Sequence, residues 1–175
     1  MDLSAISPTL LVASLMVAAT PILLAAIGEL VVEKSGVLNL GVEGMMITGA
    51  ISGFAAAVLT GSPMIGFLCA ALGGATLSVI FAIITQYFLS NQVATGLALT
   101  LFGLGLSAML GQSYVGIKPP ASAKLDLPLV SDIPVIGPIL FSHDFTVYAA
   151  LTLVTGVWWF LKYTRGGLIL RAVGE

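Results

Sequence analysis

The chain has 175 residues, of which 58% are hydrophobic and 8% are charged, with a net charge of −2 and a mean hydropathy of +1.12. Soluble domains carry about 25% charged residues, so this composition excludes an ordinary globular protein and predicts an all-α, polytopic membrane protein. The sequence has no basic block that would indicate a nucleic-acid partner. Its single cysteine, Cys69, excludes an intramolecular disulfide.

Five apolar segments follow one another, so we expect about five transmembrane helices that form part of a larger helical bundle. These segments are Leu10–Gly28, Met45–Leu59, Met64–Leu89, Val93–Leu110 and Phe145–Leu161. No Lys or Arg precedes the first segment, which we therefore interpret as a retained span and not as a cleaved signal peptide. Pro21 lies inside this segment and predicts a kink.

Small residues recur at four-residue spacing in two of the segments. Gly49 and Gly53 form such a pair in the second segment, and Gly103, Ser107 and Gly111 form a stripe in the fourth. Because the hydrophobic effect does not drive helices together within lipid, small residues that allow close backbone contact mark helix interfaces. We predict that both sets are packing surfaces.

Two polar clusters interrupt the apolar pattern. Between the first two segments lie Glu29, Glu33, Asn39 and Glu43, together with Lys34 and several glycines. If the helix breaks here inside the membrane, these groups line a solute path and Asn39 hydrogen-bonds the solute. The alternative is a tight turn at the cytoplasmic surface. A second cluster, at the junction of segments three and four, either faces the same path or caps a helix. It consists of Gln86, Asn91, Gln92 and Thr95.

The remaining regions are a Pro-rich stretch at 112–144 and a basic tail, Lys162–Glu175. We predict that the first is an extracytoplasmic loop with a short amphipathic piece near Leu125–Val135 and a solvated His143. The tail follows Trp158 and Trp159, which fit an interfacial aromatic belt. Basic residues number four on the tail side and two on the other. This bias predicts a cytoplasmic tail and an external N-terminus.

The sequence lacks the residue sets of common enzymes. It has no G-x-x-x-x-G-K-[ST] phosphate loop, and its one histidine cannot supply a His-based metal cluster. The stretch Gly103–Ala108 loosely matches a dinucleotide fingerprint, but it lies inside an apolar span without strands around it. We therefore expect no enzymatic activity, no cofactor and no metal, and an integral membrane enzyme is disfavoured.

Three motifs closely resemble those of one transporter family. They are EKSGVLNLGVEGMMITGA at 33–50, NQVATGLALTLFG at 91–103 and YTRGGLILRAVGE at 163–175. These stretches resemble the permease subunits of bacterial ABC importers in the ribose/nucleoside branch. Within that branch they look most like the permeases that serve basic-membrane-protein-type lipoproteins, which deliver purine nucleosides. The resemblance covers nearly the whole chain.

The resemblance implies one transmembrane permease domain over 1–175 that transports by alternating access in the bacterial inner membrane. It implies four kinds of partner: a cytoplasmic ATP-binding subunit, a second permease subunit, an extracytoplasmic substrate-binding lipoprotein and membrane lipids. Family members continue beyond the tail with further helices, so we expect the chain to be the N-terminal part of a permease. Within the tail, the residues expected to couple to the ATPase are Arg165, Gly166, Gly167, Arg171, Gly174 and Glu175.

For the tail we expect a flexible Gly166-Gly167 lead into a short coupling helix, with Arg171 in contact with the ATPase. The alternative is that its basic residues reflect only the positive-inside bias. The absence of an intramembrane Lys or Arg that would pair with an anion favours a neutral substrate. Simple sugars and riboflavin are alternatives to purine nucleosides, and a non-transporting membrane scaffold is an alternative to transport.

Overall fold

The computed structural model describes residues 8–120 and 143–174. The main helices are α1 (Pro8–Lys34), α2 (Val42–Thr60), α3 (Pro63–Ala82), α4 (Gln92–Gly111), α5 (Phe145–Tyr163) and α6 (Arg165–Gly174). A π-helical turn, Ile83–Tyr87, continues α3, and a short 3-10 turn, Gln112–Tyr114, follows α4. The amphipathic piece predicted near Leu125–Val135 falls outside the described residues, as does Glu175.

Five of the described helices are long and apolar enough to cross a membrane, which confirms the predicted number of spans. They are α1, α2, α3 with its π-helical turn, α4 with its 3-10 turn, and α5. Helix α1 runs six residues past the predicted end, from Gly28 to Lys34, so Glu29 and Glu33 are helical. Helix α2 begins at Val42, which puts Glu43 in its first turn. The chain is a multi-pass, all-α membrane protein.

The chain divides into two compact units. One unit comprises residues 1–31 and 122–175, and the other comprises residues 32–121. The second unit, which holds α2, α3 and α4, is called the central unit below.

In the central unit, α2 and α3 form an antiparallel pair. Gly61 ends α2 in the left-handed conformation, with φ +69°, and its N–H donates a 2.8 Å hydrogen bond to Ala57 O. The helices then approach closely at the predicted pair of glycines. A β-carbon on Gly53 would lie 2.8 Å from Gly66 O, and one on Gly49 would lie 2.8 Å from Ala70 O. Both distances are too short for a side chain, so this interface is made by backbone.

Helix α4 runs parallel to α2 and contacts it through a second set of glycines. A β-carbon on Gly103 would lie 2.6 Å from Gly44 O, and one on Gly44 would lie 2.5 Å from Leu99 O. The predicted stripe on α4 is therefore a packing surface at Gly103. Further along, Gly111 makes only ordinary contact, since a β-carbon there would lie 3.7 Å from the end of the Ile51 side chain.

The three helices of the central unit enclose a small apolar core. It consists of Met45 from α2, Leu77 and Phe81 from α3, and Leu99 from α4, all less than one-tenth exposed. Val37, which precedes α2, packs against this cluster. The link between α1 and α2 therefore reaches the interior of the unit.

In the other unit, α5 ends in an aromatic and cationic cluster. The Trp158 and Tyr163 rings meet edge to face at 5.5 Å, and the Lys162 ammonium lies 5.1 Å from the Trp158 ring centroid. At the opposite end of α5, His143 is only 3% exposed, so the prediction of a solvated histidine is wrong. The buried residues of this unit begin before the helix does, and they continue at Val147 in the first turn of α5.

Candidate functional site

Helix α1 is interrupted before α2 by a non-helical segment. Gly36 adopts φ +82°, a left-handed conformation that ends the helix at Lys34, and its N–H donates to Glu33 O at 2.9 Å. Residues 35–41 belong to no helix, and α2 begins at Val42. This segment, residues 35–41, is called the break. Helices interrupted in this way carry backbone groups that need partners from elsewhere.

Three side chains supply partners for the backbone of the break. The Leu38 N–H donates to Gln92 Oε1 at 2.8 Å, and the Gly41 N–H donates to Asn39 Oδ1 at 3.0 Å. The Leu40 carbonyl accepts a 3.0 Å hydrogen bond from the Thr100 hydroxyl. Two side-chain amides and one hydroxyl therefore satisfy backbone N–H and C=O groups of the break that have no helical hydrogen-bond partner.

Asn39 is the most enclosed polar group of the break. Its side chain is 6% exposed, and its Nδ2 donates a long, 3.6 Å contact to Met45 Sδ. The bond from Oδ1 to the N–H two residues on is an Asx turn, which bends the chain into α2. The N-cap residue, Gly41, has no capping side chain of its own. Asn39 therefore shapes the start of α2 from inside the unit.

The break lies beside α4 and not beyond its end. A β-carbon on Gly96 would lie 2.9 Å from both Leu40 N and Gly41 N, so the two backbones touch. Gly96 and Thr100 are four and eight residues past the first residue of α4, Gln92. At a rise of about 1.5 Å per residue, the break meets α4 at about 6 to 12 Å from its start. Helix α2 therefore begins further along the α4 axis than the first residue of α4 does.

The junction between α3 and α4 is irregular as well. The π-helical turn is followed by Leu89 at φ +54°, the one non-glycine residue with positive φ in the described part of the chain. Asn91 then caps α4, with its Oδ1 accepting from the Ala94 N–H at 3.1 Å. Thr95, buried one turn on, donates to Ser90 Oγ at 3.2 Å. This geometry agrees with the helix-capping interpretation of Asn91 and gives Gln92 a different role.

The predicted polar residues thus separate into two groups. Asn39, Gln92 and Thr95 are buried or half-buried and hydrogen-bonded within the central unit. The exposed members are Glu33, Glu43, Gln86 and Asn91, of which Asn91 caps α4, while Glu29 is half-buried on α1. Thr100 was missed by sequence reasoning. The signal available was a hydroxyl between Gly96 and Gly103, in a span where neighbouring residues are apolar.

The tail differs from its prediction in one respect. Helix α6 begins at Arg165, directly after Thr164, whose Oγ1 accepts the Gly167 N–H at 3.0 Å. The Gly-Gly pair therefore lies inside the first turn, and the expected flexible lead is wrong. A β-carbon on Gly167 would collide with Phe160 O, so this glycine allows α6 to fold tightly against the end of α5.

Within α6 the two arginines differ in their surroundings. Arg165 is exposed, whereas Arg171 is half-buried, and its Nε is enclosed without a hydrogen-bond partner among the described residues. The exposed apolar residues of the same helix are Leu168, Ile169 and Val173. The helix is therefore amphipathic, and part of its apolar surface is not covered by the described part of the chain.

Comparison with known protein families gives a match over nearly the whole length. Residues 11–175 match the family described as branched-chain amino acid transport system / permease component. The chain belongs to this family of permeases. No solved structure matches it.

Three curated relatives share this similarity. A putative glucose ABC transporter permease protein, TsgC13 of Haloferax volcanii, is 40% identical over 90% of this chain and 49% of its own length. The guanosine ABC transporter permease protein NupQ of Bacillus subtilis is 33% identical over 95% of this chain and 56% of its own. The nucleoside ABC transporter permease protein NupC of Lactococcus lactis is 31% identical over the same shares, 95% and 56%. The chain therefore spans about half the length of the permeases it matches.

Proposed function

We propose that the protein is the membrane-spanning permease subunit of an ATP-driven importer for purine nucleosides and forms the translocation path by alternating access. The observation that carries this proposal is the break, a polar interruption held beside α4 within a chain of the permease family. Interrupted helices place backbone and polar side chains where a solute crosses the membrane. The names of two relatives, one a guanosine permease and the other a nucleoside permease, favour a nucleoside.

The polar residues around the break supply the path in this proposal. The exposed amides Gln86 and Asn91 are offered as solute contacts, because uncharged polar groups suit a neutral base or ribose. Asn91 would contribute its Nδ2, since its Oδ1 caps α4. Asn39, Gln92 and Thr95 hold the backbone behind them. The carboxylates on either side of the break belong to the mouth of the same path. They are Glu29, Glu33 and Glu43.

The same proposal assigns α6 to coupling with a cytoplasmic ATP-binding subunit. The chain has no phosphate loop of its own, so ATP hydrolysis belongs to that partner. The exposed Arg165 and the half-buried Arg171 are the basic residues of α6 in this role, together with Gly166 and Gly174. Gly167 contributes indirectly, because it allows α6 to pack against the end of α5. Glu175 follows directly in the sequence. A second permease subunit and an extracytoplasmic lipoprotein complete the importer.

The proposed orientation places the protein in the bacterial inner membrane with the N-terminus outside and the Lys162–Glu175 tail in the cytoplasm. It rests on the excess of basic residues on the tail side. The aromatic cluster of Trp158, Lys162 and Tyr163 at the end of α5 fits a membrane–water interface, where such residues concentrate.

Isolation of the protein from its native locus in mild detergent tests the assembly. Recovery with an ATPase and a second permease subunit is expected, and intact mass measurement reports the length of the chain. Reconstituted into vesicles with its partners, the complex is expected to take up guanosine only when ATP is hydrolysed. A complex without an ATPase, or vesicles without uptake, would contradict the importer proposal and favour the alternative of a non-transporting membrane scaffold.

The coupling role of α6 has its own test. Arg171→Glu in the intact importer is expected to lower substrate-stimulated ATP hydrolysis, because it reverses the charge at the proposed contact. Lys118→Glu, an exposed basic residue outside α6, serves as the matched control. Equal substrate stimulation of ATP hydrolysis in both variants would contradict the coupling role and leave the basic residues of the tail explained by the positive-inside bias alone.

A simple sugar is the second candidate substrate, because the 40% identical relative is named as a putative glucose permease. Uptake of labelled guanosine in the presence of excess glucose discriminates the two. Undiminished uptake supports the nucleoside, whereas glucose transport without guanosine transport would replace it by the sugar.

A further inference from the structure

We propose that Gln92 is a positioning residue that locks the break to α4, so that the break and the first two turns of α4 move as one body during transport. The joint movement during transport rests on the proposed transport function. The attachment of the break to α4 rests only on the hydrogen bonds within the central unit.

The first argument is the position of the Leu38 N–H. Leu38 is 43% exposed and its N–H has Gln92 Oε1 as its acceptor, at 2.8 Å. The break packs against the first two turns of α4, where the Gly96 backbone touches Leu40 and Gly41. A backbone N–H without an acceptor is costly wherever protein or lipid excludes water. Gln92 removes that cost.

The second argument is that the same helix holds the break at a second point. Thr100, eight residues after Gln92, donates to the Leu40 carbonyl at 3.0 Å. Between these two contacts, Gly96 brings the α4 backbone against Leu40 and Gly41. One N–H, one carbonyl and one backbone contact therefore fix a segment of four residues to one face of α4. A segment fixed at both ends cannot slide along the helix without breaking a hydrogen bond.

The third argument concerns where movement is permitted. Gln92 is the first residue of α4, and the residues just before it include the π-helical turn and Leu89 at φ +54°. Single π-turns and left-handed non-glycine residues are less stable than regular helix and occur at sites that change conformation. The α3–α4 junction is therefore the hinge, and the lock lies on its α4 side. Rotation at the hinge carries the break with α4.

The direct test is amide hydrogen exchange in the intact permease complex, in lipid nanodiscs. Gln92→Met keeps the length of the side chain but has no acceptor oxygen, and it is expected to speed exchange at Leu38 by about fivefold, the effect of one net hydrogen bond. Gln92→Glu retains an acceptor oxygen and is expected to exchange at nearly the native rate. Gln112→Met, at the other end of the α4 span and exposed, is the matched control.

The functional test is guanosine uptake by the same variants in vesicles. A positioning role predicts that Gln92→Met lowers the maximal rate by about fivefold while the KM for the nucleoside stays unchanged. Gln92→Glu restores the rate. A raised KM at an unchanged maximal rate would make Gln92 a solute contact and would overturn the positioning role.

The two tests fail separately. Native exchange at Leu38 in Gln92→Met overturns the lock whether or not the protein transports guanosine. Absence of uptake by the unaltered complex overturns the proposed function, and the exchange result then still decides whether Gln92 holds the break. Faster exchange throughout α4, and not only in the peptide that contains residues 37–41, would indicate general unfolding and would also overturn the lock.

Discussion

Helices α1 and α2 lie at the two ends of the range of burial among the spans. Helix α1 is the more apolar of the two, and 6% of its most apolar stretch is buried inside the described part of the chain. Helix α2 is less apolar, and 28% of its corresponding stretch is buried. In a soluble protein the more apolar helix would be the more deeply buried one. Here the order is reversed, because lipid accepts apolar side chains and protein contact is made elsewhere.

The residues that α2 buries explain the reversal. They include Gly44, Gly49 and Gly53, which contribute little hydropathy but let two neighbouring helices approach to backbone contact. Dispersion between closely packed backbones then replaces the hydrophobic effect as the force that joins helices. In α1, Thr20 is the one buried residue, and its hydroxyl bonds to its own helix at Met16 O. In α1 and α2, burial therefore follows the small residues and not the hydropathy.

Among the glycines, substitution of Gly103 is expected to have the largest effect on stability. A β-carbon here meets three backbone atoms of Gly44 at 2.6 to 3.0 Å, and backbone cannot rotate away. Gly103→Val should lower the free energy of unfolding by about 3 kcal/mol, measured by denaturation in mixed micelles. Gly105→Val, two residues along with no atom within 4 Å, is the control. Equal losses in the two variants would contradict the backbone contact.

Gly53 should show a somewhat smaller effect at the α2–α3 interface. A β-carbon would lie 2.7 Å from Ala70 Cβ and 2.8 Å from Gly66 O. Gly53→Val is expected to cost about 2 kcal/mol, whereas Gly28→Val in α1 meets no atom within 4 Å and should cost little. The same micelle denaturation checks both. A costly Gly28→Val would show that α1 has a helix partner at that position.

Asn39 tests whether the break is held by its polar groups. Asn39→Ala leaves the buried Gly41 N–H without its acceptor and should cost about 1–3 kcal/mol, the cost of an unsatisfied buried donor. Asn39→Asp keeps an acceptor oxygen and should lose less. If the alanine variant is fully stable but fails in guanosine uptake, Asn39 touches the solute instead of supporting α2.

The smallest effect is expected at an exposed leucine of α1. Leu15 is 58% exposed, so Leu15→Ala should change the free energy of unfolding by less than about 0.5 kcal/mol. Leu77→Ala, at a position that is 2% exposed in the central unit, should cost about 3 kcal/mol. Similar losses at the two leucines would remove the distinction between the helices.

The positions of the spans were predictable from sequence to within a few residues, because runs of about 20 apolar residues have few interpretations. The position of the break along α4 was not predictable from sequence. A hydropathy pattern shows where polar residues occur in the sequence, but the position of the break depends on how α2 is staggered along α4. That stagger is set by Gly96 and Gly103 meeting Leu40, Gly41 and Gly44, contacts between residues more than 50 positions apart.

Parts of the candidate site were predictable for a similar reason. Asn39 and Gln92 stood out because amides are rare in apolar surroundings, and the structure brings both to the break. Thr100 did not stand out, because a threonine in a span usually bonds to its own helix, as Thr76 does with Leu72 O. The Gly166-Gly167 pair was misread as flexible, since sequence alone does not distinguish a glycine that bends from one that packs.

The contact between Gly44 and Gly103 also limits how this sequence can change over evolution. A larger residue in a packed core is often accommodated by a smaller one opposite. Here both positions already hold the smallest residue, so a side chain at either has no smaller partner to make room for it. A larger residue at one of these positions therefore cannot be compensated by a smaller residue at the other, whatever the solute of the permease.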